Sequence, residues 1–239
     1  MTRRGAFIVV EGLDRSGKTT QTGHLRRRIC EAGKEVLCVK FPVDRSTPIG
    51  KMIDAYLRSQ SDLDDHVVHL LFSANRWELA PTIISALEQG KIVLCDRYAF
   101  SGIAFSVAKS LPSLSSLSTP QTEPLSAGKL PSINLSWARA PDATLPSPDL
   151  TLFLDVSPGI ALTRGGYGEE RYEKADMQKR VRSVFEDIGR EVDTGVGNGK
   201  WVVVDAGKEM SVVTEEMWEH VQPLLDGVDG SIARLWEHP

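Results

Sequence analysis

The 239-residue sequence predicts an α/β protein in three layers, with a five-stranded, mainly parallel sheet flanked by helices. Five short apolar runs without a polar face alternate with longer stretches of helical period. Strands joined through helices enter one sheet in parallel by right-handed crossovers. The composition, 41% hydrophobic and 25% charged, is that of a globular chain. A single domain of this length buries roughly 70% of its unfolded surface.

The elements follow in order. Ala6–Val10 is a β-branched run that reads as a strand covered on both sides, ended by Glu11. Lys18–Ala32 reads as a helix closed by Gly33, and Glu35–Lys40 as the second strand. Thr47–Leu57, Leu63–Arg76 and Thr82–Gln89 read as three helices, with Gly90 as a stop. Ile92–Cys95, Leu150–Val156 and Trp201–Asp205 supply the remaining strands. A helix over 172–192 carries apolar Met177, Val181, Val184, Phe185, Ile188 and Val192 on one face. The whole chain, 1–239, reads as one domain. A Ser/Pro-rich loop insertion occupies about 107–133: thirteen of the twenty-three residues from Ser110 to Ser132 are Ser, Thr or Pro, which sustains no packed element. Gly165, Gly166 and Gly168 mark a lid over about 164–172.

The net charge of −4 argues against a basic nucleic-acid groove. Cys30, Cys38 and Cys95 form no C-x-x-C pair, and the apolar runs around Cys38 and Cys95 suggest buried free thiols. Thiols without a disulfide pattern, and no visible secretory signal, suit a cytosolic or nuclear compartment. The first apolar run is far shorter than the ~20 residues that span a bilayer, so no membrane partner is expected.

Gly12-Leu13-Asp14-Arg15-Ser16-Gly17-Lys18-Thr19 satisfies G-x-x-x-x-G-K-[ST] between a buried strand and a helix. Its glycines let successive N–H groups curl round phosphate oxygens, and the helix adds its positive N-terminal end. Lys18 reaches the β- and γ-phosphates, and the Thr19 hydroxyl is a ligand for Mg²⁺. Asp96, directly after the apolar run Ile92–Cys95, supplies the carboxylate that completes a metal site. Ligands collect at the carboxyl ends of parallel strands, so Asp96, Arg97 and the loop share one crevice.

Phosphate loops serve both switch GTPases and phosphotransferases. The chain has no Asn-Lys pair of the kind that reads guanine. Instead Arg15, Arg45, Arg76, Arg97, Arg164 and Arg171 fall in loops or at element ends, as required to hold two phosphorylated substrates. On Leu63–Trp77, residues Leu63, Val67, Leu70, Leu71, Ala74 and Trp77 form one apolar stripe, expected to face the core. Phe72 lies off that stripe one turn before Arg76, which suits a planar heterocycle: the ring stacks and the guanidinium donates to a carbonyl edge.

Taken together, these segments resemble thymidylate kinases of the eukaryotic type. The resemblance rests on Val10–Gln21, Phe41-Pro42 with Arg45-Ser46-Thr47, Asp65–Glu78, Asp96–Gly102, Pro146–Leu150, Glu170–Glu173 and Val204–Ala206. It implies a P-loop kinase fold and transfer of the γ-phosphoryl group of Mg·ATP to dTMP, giving dTDP and ADP for dTTP synthesis. It implies Gly12, Arg15, Ser16, Gly17, Lys18, Thr19 and Thr20 on the ATP phosphates, with Arg164, Asp205 and Lys208 towards adenine. Asp14 would bind the acceptor 3′-hydroxyl, and Arg15 with Lys18 would neutralise the transferred group. Arg45 and Arg97 would hold the acceptor 5′-phosphate. Phe72 would stack on thymine while Arg76 donates to its 4-carbonyl, and Tyr98 would crowd the 2′ position. Phe41, Gly102, Phe105, Tyr172 and Gln178 would line the same pocket. The family also implies a homodimer. The rival enzyme, a deoxynucleoside kinase, needs a general base for a neutral 5′-hydroxyl; a non-catalytic nucleotide-binding regulator is the rival of another class.

Overall fold

The computed structural model describes residues 3–43, 46–111, 130–164, 175–193 and 199–237. Five strands, β1 (Phe7–Gly12), β2 (Val36–Lys40), β3 (Ile92–Asp96), β4 (Leu150–Asp155) and β5 (Lys200–Asp205), form one sheet in the order β2-β3-β1-β4-β5. Every pairing is parallel. β1 and β3 are buried at every residue, as continuous apolar runs require when helices cover both faces. The first strand continues beyond the expected Val10 through Glu11 into Gly12, and Glu11 is itself fully buried.

The helices are α1 (Lys18–Glu31), α2 (Pro48–Leu57), α3 (Asp65–Glu88), α4 (Ala99–Ser110), α5 (Leu135–Arg139), α6 (Pro158–Thr163), α7 (Ala175–Asp193) and α8 (Met210–Val221). α1 packs with α8, while α4 lies between α3 and α7. The core runs from β1 through Leu25, Ile83, Phe153, Phe185 and Val204. Phe153, Phe185 and Trp201 form a cluster of neighbouring rings at the β4–β5 side.

Four expectations need correction. Leu63–Arg76 and Thr82–Gln89 are not separate helices but parts of α3, which runs through Pro81. Pro81 is exposed, and its ring forfeits only the bond that a backbone N–H there would donate to the Trp77 carbonyl. The apolar stripe of this helix does not face the core: Val67 is 42% and Leu70 46% exposed, and the buried face carries Val68, His69, Ser73, Asn75 and Arg76 instead. Cys38 is exposed rather than buried because β2 is an edge strand; Cys95, on β3, is buried. The insertion boundary also moves, since residues 107–110 are the last turn of α4. Residues 112–129 lie outside the described residues.

The carboxyl-terminal stretch, with no counterpart in the sequence pattern, returns across the sheet end. Val228 bridges Arg4 and Arg234 bridges Pro146, both antiparallel. Thr144 donates to the Leu235 carbonyl at 2.8 Å and Ser147 to that of Ala233 at 2.8 Å. Leu235 is fully buried, and Trp236 meets Phe100 edge-on. No helix among the described residues is long and apolar enough to cross a membrane.

Candidate active site

The loop between β1 and α1 is shaped by two glycines. Gly12 has φ +151, and a Cβ there would stand 2.5 Å from the Leu154 carbonyl on β4. Gly17 has φ +89 at the cap of α1, a left-handed conformation that only glycine adopts freely. Arg15, at φ 63, carries positive backbone curvature between them. Lys18 is curled back on this loop, its Nζ donating to the Leu13 carbonyl at 2.5 Å and to Ser16 Oγ at 3.3 Å. Burial and the Arg97 charge push the Lys18 ammonium down to about 7, against the opposing pull of Asp14, Asp96 and Glu11. A cation held at such a cost suits a site built for polyanionic phosphate.

At the end of β3, Asp96 Oδ2 accepts from Thr19 Oγ1 at 2.7 Å. Lys40 Nζ, at the end of β2, reaches the same Thr19 oxygen at 3.0 Å. Asp96 Oδ1 is buried and has no hydrogen-bond partner among the described residues. A hydroxyl and a half-satisfied carboxylate, both hard oxygen donors, fit a hydrated Mg²⁺.

Arg97 sits at φ 68 between β3 and α4. It is ion-paired with Asp14 Oδ1, and Gln178 on α7 brackets the same carboxylate, donating to Oδ2 at 2.8 Å while accepting from the Asp14 N–H at 3.1 Å. Burial raises the Asp14 carboxyl, yet Arg97 and Lys18 outweigh it and hold the group below its usual value. The unusual backbone at Arg97 is fixed from beneath by Glu11, which accepts from the N–H groups of Tyr98 at 2.9 Å and Ser101 at 3.0 Å and from Ser101 Oγ at 2.5 Å. Glu11 thus caps α4, which lacks a side-chain cap of its own at Tyr98. Burial raises the Glu11 carboxyl above its usual value.

Phe72, Arg76, Gly102, Phe105, Phe41 and Tyr98 line one crevice of about 420 Å³ with Asp14, Arg15, Gly17, Lys18, Thr19, Thr20, Asp96 and Arg97. α3 and α4 approach closely here because Gly102 has no side chain: a Cβ would lie 2.9 Å from both Arg76 Nη atoms. The Arg97 guanidinium stands 5.5 Å from the Phe105 ring. Tyr98 packs against Phe7 and Phe41, and its hydroxyl donates to the Pro146 carbonyl at 3.1 Å.

The residues expected near adenine are less tightly gathered. Arg164 joins the phosphate loop to the β5–α8 turn, donating to the carbonyls of Arg15 at 2.9 Å and Ala206 at 2.6 Å. Asp205 accepts from the Gly207 N–H at 2.9 Å, shaping that turn. Lys208 is paired with Glu216 at the surface. Arg45, Tyr172, Arg171 and the lid tip at 165–172 lie outside the described residues. Sequence reasoning missed Glu11 as a cap and Lys40 beside Thr19. The only visible signal for the first was an acidic residue at the end of an apolar strand.

The thymidylate kinase family model matches residues 10–124 and 127–217. The thymidylate kinase of Danio rerio is 40% identical over 239 residues, covering 98% of both chains. That of Homo sapiens is 42% identical over 215 residues, covering 90% of this chain and 89% of its own. The chain belongs to the thymidylate kinase family. A solved thymidylate kinase structure from Candida albicans superposes with a TM-score of 0.81 at 37% identity, covering 98% of this chain and all of that one. The expected P-loop kinase fold is therefore present, with its five parallel strands flanked by helices. Thymidylate kinases transfer phosphate from ATP to dTMP, and in this chain the phosphate loop shares one crevice with Phe72, Arg76 and Arg97.

Proposed function

We propose that the crevice binds ATP on the phosphate loop and dTMP between α3 and α4, and moves the γ-phosphoryl group from one to the other in dTTP synthesis. The observation that carries this is the shared wall: Phe72, Arg76 and Arg97 line the same space as Lys18 and Thr19. A dTMP phosphate oxygen attacks the γ-phosphorus while the bond to the ADP oxygen breaks. The acceptor is already anionic near neutral pH, so positioning and charge neutralisation carry the rate. Arg97 and Arg45 hold the acceptor phosphate, Lys18 and Arg15 the transferred group, and Asp14, released from Arg97, the 3′-hydroxyl. Gly12, Ser16, Gly17 and Thr20 cradle the donor phosphates, and Arg164, Asp205 and Lys208 border adenine. Phe72 stacks on thymine, Arg76 donates to its 4-carbonyl, and Phe41, Tyr98, Gly102, Phe105, Tyr172 and Gln178 shape the pocket. Thr19 and Asp96 would hold Mg²⁺, which when bound neutralises charge between the β- and γ-phosphates.

The chain reads as one domain over 1–239, with a lid over about 164–172 and a Ser/Pro-rich insertion that begins only after the last turn of α4. A homodimer is supported by the exposed apolar stripe Val67, Leu70 and Trp77 on α3. Free Cys30, Cys38 and Cys95 support a reducing, cytosolic or nuclear setting.

A coupled ADP-release assay with Mg·ATP tests the reading, comparing dTMP, dUMP, dCMP and thymidine at equal concentration. Fast turnover on dTMP and little on dCMP or thymidine is expected. Turnover on thymidine but not dTMP would overturn the acceptor-phosphate roles of Arg45 and Arg97.

A further inference from the structure

Arg76 and Asp142 form an ion pair with 2% and 0% side-chain exposure. Arg76 Nε donates to Asp142 Oδ1 at 3.0 Å and Nη2 to Oδ2 at 2.6 Å, a planar two-bond fork. The carboxylate is held in turn by Ser73, whose hydroxyl lies 2.7 Å from Asp142 Oδ1 and 3.0 Å from the Pro141 carbonyl. Trp77 Nε1 donates to that same carbonyl at 2.8 Å. Ser73, Arg76 and Trp77 are spaced to share one face of α3, and together they grip the turn Ala140–Asp142. On its other side the turn runs into Thr144–Ser147, bonded to the returning carboxyl-terminal stretch.

Stability alone is a poor reason for such a pair. Two charges withdrawn from water recover in attraction little more than they lose in hydration, and apolar side chains of similar volume commonly serve as well. Arg76, however, also lines the acceptor crevice. A guanidinium on a flexible stem reads a carbonyl only if its N–H directions are fixed beforehand. Asp142 fixes the in-plane direction through Nε and Nη2, and the backbone at Gly102 closes one side of the group. The Nη1 edge is the one that Asp142 does not engage.

We infer that Asp142 is a positioning residue for base recognition: it holds the Arg76 guanidinium so that the pocket accepts a pyrimidine carrying a 4-carbonyl and rejects one carrying a 4-amino group. A carbonyl oxygen accepts from the fixed N–H, whereas an amino group presents hydrogen to hydrogen and leaves the arginine unsatisfied. This rests on the reading of Arg76 as the group that meets the base.

The test compares the full-length protein with Asp142→Asn, Arg76→Met, the double variant and Ser73→Ala, measuring kcat and KM for dTMP, dCMP and ATP. Asp142→Asn should raise the KM for dTMP about tenfold or more and narrow the dTMP-to-dCMP preference similarly, with kcat within about threefold and the KM for ATP unchanged. Adding Asp142→Asn to Arg76→Met should cost nothing further, since the aspartate acts through the arginine. If Arg76→Met leaves the KM for dTMP unchanged, the assignment of Arg76 to the base falls. If Arg76→Met raises that KM while Asp142→Asn keeps the wild-type KM and preference, the positioning role falls. Should Asp142→Asn fail to fold, Ser73→Ala keeps both charges and removes the hydroxyl that holds the carboxylate and the Pro141 carbonyl; it should raise the KM for dTMP about threefold. An unchanged KM there would overturn the role.

Discussion

Thr19 on α1 and Asp96 at the end of β3 meet through a 2.7 Å hydrogen bond that ties the phosphate loop to the sheet. The second Asp96 oxygen lies buried beside it, unpartnered among the described residues. Desolvating a carboxylate oxygen without a partner is costly, and a divalent cation offsets that cost when nucleotide arrives. Asp96→Asn should therefore lower kcat about 10²-fold or more and raise the Mg²⁺ concentration needed for half-maximal rate. dTMP binding, followed by calorimetry without ATP, should persist. A wild-type Mg²⁺ dependence would remove Asp96 from the metal site.

Gly102 lets the guanidinium of Arg76 lie against α4. A methyl group there would come within 2.9 Å of both terminal nitrogens. Gly102→Ala should raise the KM for dTMP about tenfold and leave the KM for ATP alone, because Gly102 and Arg76 stand on α4 and α3, outside the phosphate loop. Equal changes in both constants would point to a general disturbance of α4.

His69 is a buried imidazole between two partners. Its Nε2 lies 2.8 Å from the Ala138 carbonyl and therefore donates, leaving Nδ1 to accept from Ser106 Oγ at 2.8 Å. Burial and the neighbouring Arg76 charge lower its pKa below 6.5, against the pull of the Ala138 carbonyl and Asp142. The unfolded chain then binds a proton that the folded chain refuses, so stability falls as pH drops below about 6.5. Urea unfolding between pH 5 and 7 should give a shallower slope for His69→Gln, by up to about 1 kcal/mol per pH unit. An unchanged slope would assign the acid sensitivity to other groups.

Leu70 stands at the centre of the exposed α3 stripe, flanked by Val67 and Trp77. Leu70→Glu places a charge on a face expected to be covered by a second copy. Light scattering should show a dimer for the wild type and a monomer for the variant, with the fold retained because the side chain contributes little to the core. A monomeric wild type would leave the stripe to another partner.

The phosphate loop was legible in the sequence because its chemistry is local: strand, glycine turn, lysine and helix follow within a dozen residues. Asp96 and Arg97 were legible for the same reason, at the end of an apolar run. Phe72 and Arg76 emerged from helical spacing, which places them off the apolar stripe and one turn apart. What periodicity does not carry is the identity of the covering surface, and so the α3 stripe read as core when it faces outward. Asp142 lies in a short turn without period, 66 residues after Arg76, and only the tertiary fold brings the two together. α4 had a signal in Phe100, Ile103, Ala104 and Val107 at helical spacing, all of them buried. Glu11 was hidden because a buried carboxylate contradicts its strand until its partners at Tyr98 and Ser101 are known.

The placement of β1 at the middle of the sheet has a consequence for the order of synthesis. β1 leaves the ribosome before both strands that it pairs with: Ile8 lies opposite Leu94 on one side and Leu150 on the other. Contacts so far apart along the chain close slowly, and an unpaired apolar strand meanwhile invites wrong partners. Gly12 acquires its bent backbone against the Leu154 carbonyl, so the loop that follows is seated only when β4 docks. A nascent chain halted before Leu150 thus contains the complete nucleotide-binding motif but lacks the strand against which that motif takes shape.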